Sequence, residues 1–180
     1  NMAQAILYGI VKQNTVPPKN IYAYDILPDT LEKVCAKSGI NPASSNIDVV
    51  EKCDMIVLAV KPHFCEGVLK EVGHHLKDKA LLSIVSGWTF EDIKAHVADS
   101  CRIQVVQPNT PLLVGAGMTM LAKTTTFKES ELELVHKIFG SLGLVQVIPD
   151  ELLMFCGTSG GAAPAFTYMF IEALADASVQ

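Results

Sequence analysis

A doubly wound, mainly parallel α/β sheet followed by the start of an all-α unit is the fold this sequence predicts. Three observations point to it. Met55–Val60 and Ala80–Val85 are continuous apolar runs, the mark of strands covered on both faces of a parallel sheet. Such runs alternate with helical stretches of about ten residues, as in βαβ units. After Asp150 the composition shifts to glycine and alanine, then to a helical segment. The expected division is a nucleotide-type domain over 1–149 and the beginning of a helical domain over 150–180.

The elements follow in order. Ala3–Lys12 is helical in composition and ends at a turn, Asn14–Pro18. Ile21–Tyr24 reads as a strand. Pro28–Lys37 is a helix with proline at its start and Gly39 where a C-terminal cap falls. After the Met55–Val60 strand, Glu66–Leu76 reads as helix, Ala80–Val85 as strand and Phe90–Val97 as a short helix. Ile103–Val106 and Met118–Ala122 are further strands. Lys128–Leu142 carries Leu132, Val135, Ile138, Phe139 and Leu142 at helical spacing. Leu144–Ile148 closes the series. In the last helix, Ala165–Ala177, residues Phe166, Met169, Phe170, Ile171 and Leu174 make it apolar nearly all round, so it needs a cover beyond this chain.

Composition excludes several function classes. With 180 residues, 49% of them hydrophobic and 18% charged, the chain can bury a core and is not disordered. The net charge is −5, and Arg102 is the only arginine among 14 cationic side chains. An acidic surface so poor in arginine makes a poor nucleic-acid binder and a poor bidentate phosphate clamp. Cys35, Cys53, Cys65, Cys101 and Cys156 are scattered, odd in number and without a Cys-x-x-Cys pair. They read as reduced thiols, and with no secretory pattern at the start the expected location is cytoplasmic. Leu152–Ile171 is twenty residues without a charge, but its glycines and Pro164 argue for a loop and a buried helix, not a membrane span.

In an open parallel sheet, ligands sit at the carboxyl ends of the strands. Asp25 follows the Ile21–Tyr24 strand, where a carboxylate accepts from a ribose hydroxyl or caps a turn. Ala59 and Val60 end the next strand beside Lys61 and Pro62, where a flat apolar ring fits. Ser86–Gly87 permits close approach of a ligand. Gln107-Pro108-Asn109-Thr110-Pro111 is a stiff turn in which Asn109 is expected to bond local backbone groups. A Rossmann-type fingerprint would put Gly-x-Gly before Ala3, and Asp25 follows Ala3 by 22 residues, close to the expected interval. No metal site is expected. His74 and His75 are adjacent and face apart, and His96 and His136 fall on amphipathic helices with surface positions.

Several segments together resemble pyrroline-5-carboxylate reductase. Asn1-Met2-Ala3 is similar to the end of the family's Gly-x-Gly-Asn-Met-Ala start, and Leu58-Ala59-Val60-Lys61-Pro62 to its Ala-Val-Lys-Pro turn. Pro108-Asn109-Thr110-Pro111 with Val114-Gly115-Ala116-Gly117 resembles its Met-Pro-Asn-Thr-Pro segment. Pro164-Ala165-Phe166 and Phe170–Ala177 resemble its Gly-Pro-Ala-Tyr loop and following helix. The resemblance implies hydride transfer from NADH or NADPH to the C=N bond of 1-pyrroline-5-carboxylate, giving L-proline, the last step of proline biosynthesis. It places Asn1, Met2 and Ala3 at the pyrophosphate, Asn46 near the adenosine ribose, and Ala59, Val60, Lys61, Pro62 and Ser86 near the nicotinamide. It places Asp150 on the substrate side.

By the same resemblance the first strand and its glycines lie upstream, and the substrate loop and most of the helical domain downstream. The catalytic residues are therefore unknown and the 180 residues alone are expected to be inactive. The partners implied are a small-molecule substrate and, for the full-length protein, further copies in a homodimer or higher homo-oligomer, with no nucleic acid and no membrane. The family's Ser-Gly-Ser-Gly-Pro loop reads Gly160-Gly161-Ala162-Ala163-Pro164 here, so both serines are lost; Thr158 and Ser159 replace them only if the loop shifts. Tyr24-Asp25-Ile26-Leu27 offers a carboxylate and no cation to a 2′-phosphate, which favours NADH. The alternatives are another imine reductase or hydroxyacid dehydrogenase of this fold, or a catalytically silent dinucleotide-binding module.

Overall fold

The structure, a computed structural model, describes residues 2–179. Helix α1 (Met2–Lys12) turns its apolar stripe, Ile6 and Ile10, inward. After a 3₁₀ turn, β1 (Tyr22–Ala23) leads to α2 (Pro28–Ser38), which begins on Pro28 and stops at Gly39 in the left-handed conformation (φ 71°). That cap is the one the sequence predicts, since a side chain is strained there. β2 (Asn41–Pro42) and α3 (Asn46–Lys52) follow. Then come β3 (Met55–Leu58), α4 (Pro62–Val72), β4 (Ala80–Ser83), α5 (Phe90–Lys94), β5 (Arg102–Gln107), β6 (Gly117–Thr125), α6 (Glu129–Gly140), β7 (Gly143–Ile148) and α7 (Asp150–Ala177).

The main sheet has five strands in the order β3-β4-β5-β6-β7. All neighbours are parallel except β5 and β6, which run antiparallel, with Gln107 opposite Met120. The short Pro108–Ala116 link has no crossover helix, so it reverses the chain. Helices cover both faces. On one, Ile6 and Ile10 of α1 and Val135 and Phe139 of α6 pack on Leu82, Val106 and Leu121. On the other, Leu69 and Val72 of α4, Ile93 of α5 and Leu153 of α7 pack on Leu81, Ile103 and Val105. Cys65 and Cys101 are enclosed among the second set, and burial pushes each thiol up to about 11.

Four expectations need correction. The Ile21–Tyr24 strand is only Tyr22–Ala23, and it pairs in parallel with Asn41–Pro42 in a separate two-stranded sheet. The β3 strand is not covered on both faces: it is the sheet edge, and Val57 is 40% exposed. Helix α4 begins four residues early, on Pro62, whose missing N–H costs nothing at the first helical position. The largest change is at the end of the chain. Where a loop and a buried helix are expected after Asp150, one helix of 28 residues runs through Gly157, Gly160, Gly161 and Pro164. Phe155, Phe166, Met169 and Phe170 on it are exposed. No helix among the described residues is long and apolar enough to cross a membrane.

Candidate cofactor and substrate site

Two cavities lie along the edges where ligands are expected. The first, of about 80 Å³, is bounded by Ala3 and Gln4 of α1, by Tyr24 and Asp25 after β1, and by Thr30 and Leu31 of α2. It unites Ala3 and Asp25, the pair whose 22-residue interval marked them. No lysine or arginine lines it. Asp25 is neither a helix cap nor free: its Oδ1 accepts the Leu27 N–H at 2.9 Å, an Asx turn that fixes the carboxylate at the rim. Among the described residues its Oδ2 has no hydrogen-bond partner. Met2 packs partly against the Ile6 core, and Asn1 lies outside the described residues.

The second cavity, of about 240 Å³, opens between the loop after β4, strands β5 and β6, and the first turns of α7. It is lined by Gly87, Trp88 and Thr89 from that loop, by Gln107 and Ala122 from the strands, and by Asp150, Glu151 and Met154 from α7. The loop is stiffened from below. Asp92 Oδ2 accepts from Thr89 Oγ1 at 2.6 Å and from the Thr89 N–H at 2.9 Å, bonds that hold its carboxyl below the usual range. Gly87 sits at φ 79°, which turns the chain before Trp88, and the Trp88 ring meets His96 edge-on at 5.7 Å. His96 thus lies beyond α5, half-buried. Asp150 Oδ1 accepts the Thr124 N–H at 2.9 Å, which fastens the start of α7 to the end of β6.

The other expected residues lie outside both cavities. Leu58 pairs with Ser83, so Ala59–Lys61 and Ile84–Ser86 leave the sheet side by side at its carboxyl edge. Lys61 and Ser86 are exposed there, with Lys61 capping α4. Asn46 lines neither of the two cavities: its Nδ2 donates to Glu71 Oε2 at 2.8 Å, tying α3 to α4. The Thr158 and Ser159 hydroxyls turn back on their own helix, where they donate to the Met154 and Phe155 carbonyls. Trp88, Thr89, Glu151 and Met154 escaped sequence reasoning because α7 brings them together only in three dimensions. Among the described residues no cluster of His, Cys, Asp and Glu has metal-binding geometry.

Pyrroline-5-carboxylate reductase of Escherichia coli (strain K12) is 35% identical over 180 residues, covering 99% of this chain and 67% of the relative. The chain belongs to the pyrroline-5-carboxylate reductase family. Its fold agrees. The Plasmodium falciparum pyrroline carboxylate reductase crystal structure with NADP bound superposes with a TM-score of 0.89 at 31% identity, over 99% of this chain and 65% of that one. The Coxiella burnetii pyrroline-5-carboxylate reductase structure gives 0.88 at 29% identity, over 99% and 67%. A family model described as NADP oxidoreductase, coenzyme F420-dependent, matches residues 1–87. The chain therefore spans about two thirds of the length of the reductases it matches.

Proposed function

We propose that the full-length protein is an NAD(P)H-dependent oxidoreductase that reduces the C=N bond of 1-pyrroline-5-carboxylate to give L-proline. Membership of the reductase family along the whole of this chain is the observation that carries the reading. The geometry suits it. The cavity between Ala3 and Asp25 fits the adenosine half of a dinucleotide, since an unpaired carboxylate oxygen at its rim can accept from ribose hydroxyls. The side-by-side turns at Ala59–Pro62 and Ser86 then serve the nicotinamide half, which supplies the hydride when bound. Met2 and Ala3, with Asn1, border the pyrophosphate; Asn46 serves the site only indirectly, through α4.

The second cavity is the substrate side. Asp150 and Glu151 line it with carboxylates, and protonation puts a positive charge on the ring nitrogen of the substrate, so a carboxylate facing that nitrogen favours the reactive form. Trp88 adds an aromatic ring to the lining. The chemistry asks little of acid–base groups, because the imine arrives protonated, and positioning dominates. Residues 1–149 form the nucleotide domain in this reading, and Asp150 opens the helical one. Copies associate through the exposed face of α7, where Phe166, Met169, Phe170 and Leu174 lack a cover. The free thiols suit a cytoplasmic enzyme.

NADH is the favoured cofactor. A 2′-phosphate in the first cavity would face the Asp25 carboxylate with no lysine or arginine on the lining. The single arginine is engaged elsewhere, on Glu131. With the full-length protein, kcat/KM is expected to be higher for NADH than for NADPH, and Asp25→Ser is expected to narrow that ratio by about tenfold. A wild-type enzyme that favours NADPH would overturn the preference while leaving the reaction intact.

A further inference from the structure

Proline has no amide hydrogen, so Pro164 inside α7 leaves the carbonyl of Gly160, one turn earlier, without its helical donor. That carbonyl is nevertheless bonded. Asn109, in the turn between β5 and β6, donates from Nδ2 to Gly160 O at 3.2 Å. Its Oδ1 accepts the Met118 N–H at 2.8 Å, at the start of β6. The residue is 8% exposed, and both ends of its amide are used. An amide is the group this place requires: aspartate supplies no donor, and an aliphatic side chain supplies neither bond.

The attachment has a place in the helix. Along α7 the first half meets the sheet and its β5–β6 turn in three places. Asp150 is bonded to Thr124, Gly157 passes so close to Gln107 that a Cβ would meet its amide oxygen at 2.8 Å, and Gly160 is bonded to Asn109. Past Pro164 the hydrogen bonds found among the described residues stay within the helix, as from Thr167 Oγ1 to Ala163 O, and the side chains are exposed. Asn109 is therefore the last tether before the helix leaves the sheet. We propose that Asn109 is a positioning residue: it replaces the hydrogen bond that Pro164 removes, and so sets the pose of α7 that shapes the cavity walled by Asp150, Glu151 and Met154. Its catalytic consequence rests on the reductase reading.

The test uses the full-length protein as wild type, Asn109→Ala, Pro164→Ala and the double variant. Alanine at 164 restores a backbone N–H to Gly160 O and makes the Asn109 donor dispensable. Asn109→Ala is expected to raise KM for pyrroline-5-carboxylate by about tenfold, with a smaller change in kcat and unchanged nucleotide affinity. Amide hydrogen exchange over residues 157–168 is expected to speed up as well. In the Pro164→Ala background both effects shrink. Equal effects of Asn109→Ala in the two backgrounds, or no effect in either, overturn the proposal. If Asn109→Ala does not fold, Asn109→Ser, which loses the reach to Gly160 O without adding a charge, is judged by the same criterion. Should the wild type not turn over, the reductase reading fails, and hydrogen exchange alone still decides the role of Asn109.

Discussion

Gly143→Ala is expected to unfold the protein at markedly lower denaturant, with a loss of about 3 kcal/mol or more. Gly143 opens β7 at φ 150°, a backbone region closed to residues with a Cβ, and its register partner on β6 is Gly117. A Cβ on Gly143 would overlap Gly117 backbone atoms, including its carbonyl oxygen. Backbone cannot rotate away as a side chain can, so the two strands must separate. Separation would also disturb the Thr124 and Asp150 contact at the far end of the same pair. Measured against a total stability of roughly 5–15 kcal/mol, that is a large fraction. Gly140→Ala is the control. Nothing lies within 4 Å of a Cβ there, and on helix propensity the change should be neutral or mildly stabilising. A urea midpoint for Gly143→Ala equal to wild type would show that β6 and β7 do not meet in this way.

Arg102→Met is expected to cost about 2–3 kcal/mol at neutral pH, and progressively less in acid. Arg102 Nε donates to both Glu131 oxygens at 3.0 Å, Nη2 donates to Oε1 at 2.7 Å, and Nη1 donates to the Asp78 carbonyl at 3.0 Å. The side chains are only 19% and 16% exposed, so removing the guanidinium strands a half-buried carboxylate at the start of α6. Burial pushes the Glu131 carboxyl up, but the hydrogen bonds from Arg102 and from the Lys128 N–H outweigh it and hold the group below its usual value. Stability from the lowered carboxyl is fully present above the unfolded value of about 4.3 and is lost as pH falls through the folded one. Without Arg102, burial is opposed only by Lys128, so the Glu131 carboxyl rises from its wild-type value, protonates earlier and relieves the cost. The gap between wild type and Arg102→Met should therefore narrow on acidification. A gap that stays constant from neutral pH down to about 4 would contradict the ion pair as its source.

Much of the sheet was legible because its strands are continuous apolar runs, and Pro28 and Gly39 bracket α2 by backbone rules alone. The segments that escaped are short or locally ambiguous. β2 is two residues, one of them proline, a residue that argues against a strand. α3 has seven residues, yet Ser45 accepts the Asp48 N–H, and the Ser-x-x-Asp spacing was a usable signal. The continuity of α7 was not legible from composition. Three glycines and a proline predict a break, and the bond that offsets Pro164 comes from Asn109, far away in sequence. Asn109 was expected to serve local backbone; it joins β6 to α7 instead. At the site, Ala3 and Asp25 were found by their interval, which reflects the length of one helix and one strand. Trp88 and Glu151 carry no such periodic signal, since they meet only when α7 folds over β5 and β6.

The product decides whether the full-length protein is the reductase. Full-length protein is incubated with 1-pyrroline-5-carboxylate and with NADH or NADPH in parallel, and proline and oxidised nicotinamide are measured together. Formation of L-proline in one-to-one proportion with oxidised cofactor, faster with NADH, is the expected result. Absence of proline with either cofactor, under conditions where the protein is folded, would contradict the assignment and leave a dinucleotide-binding module without this activity.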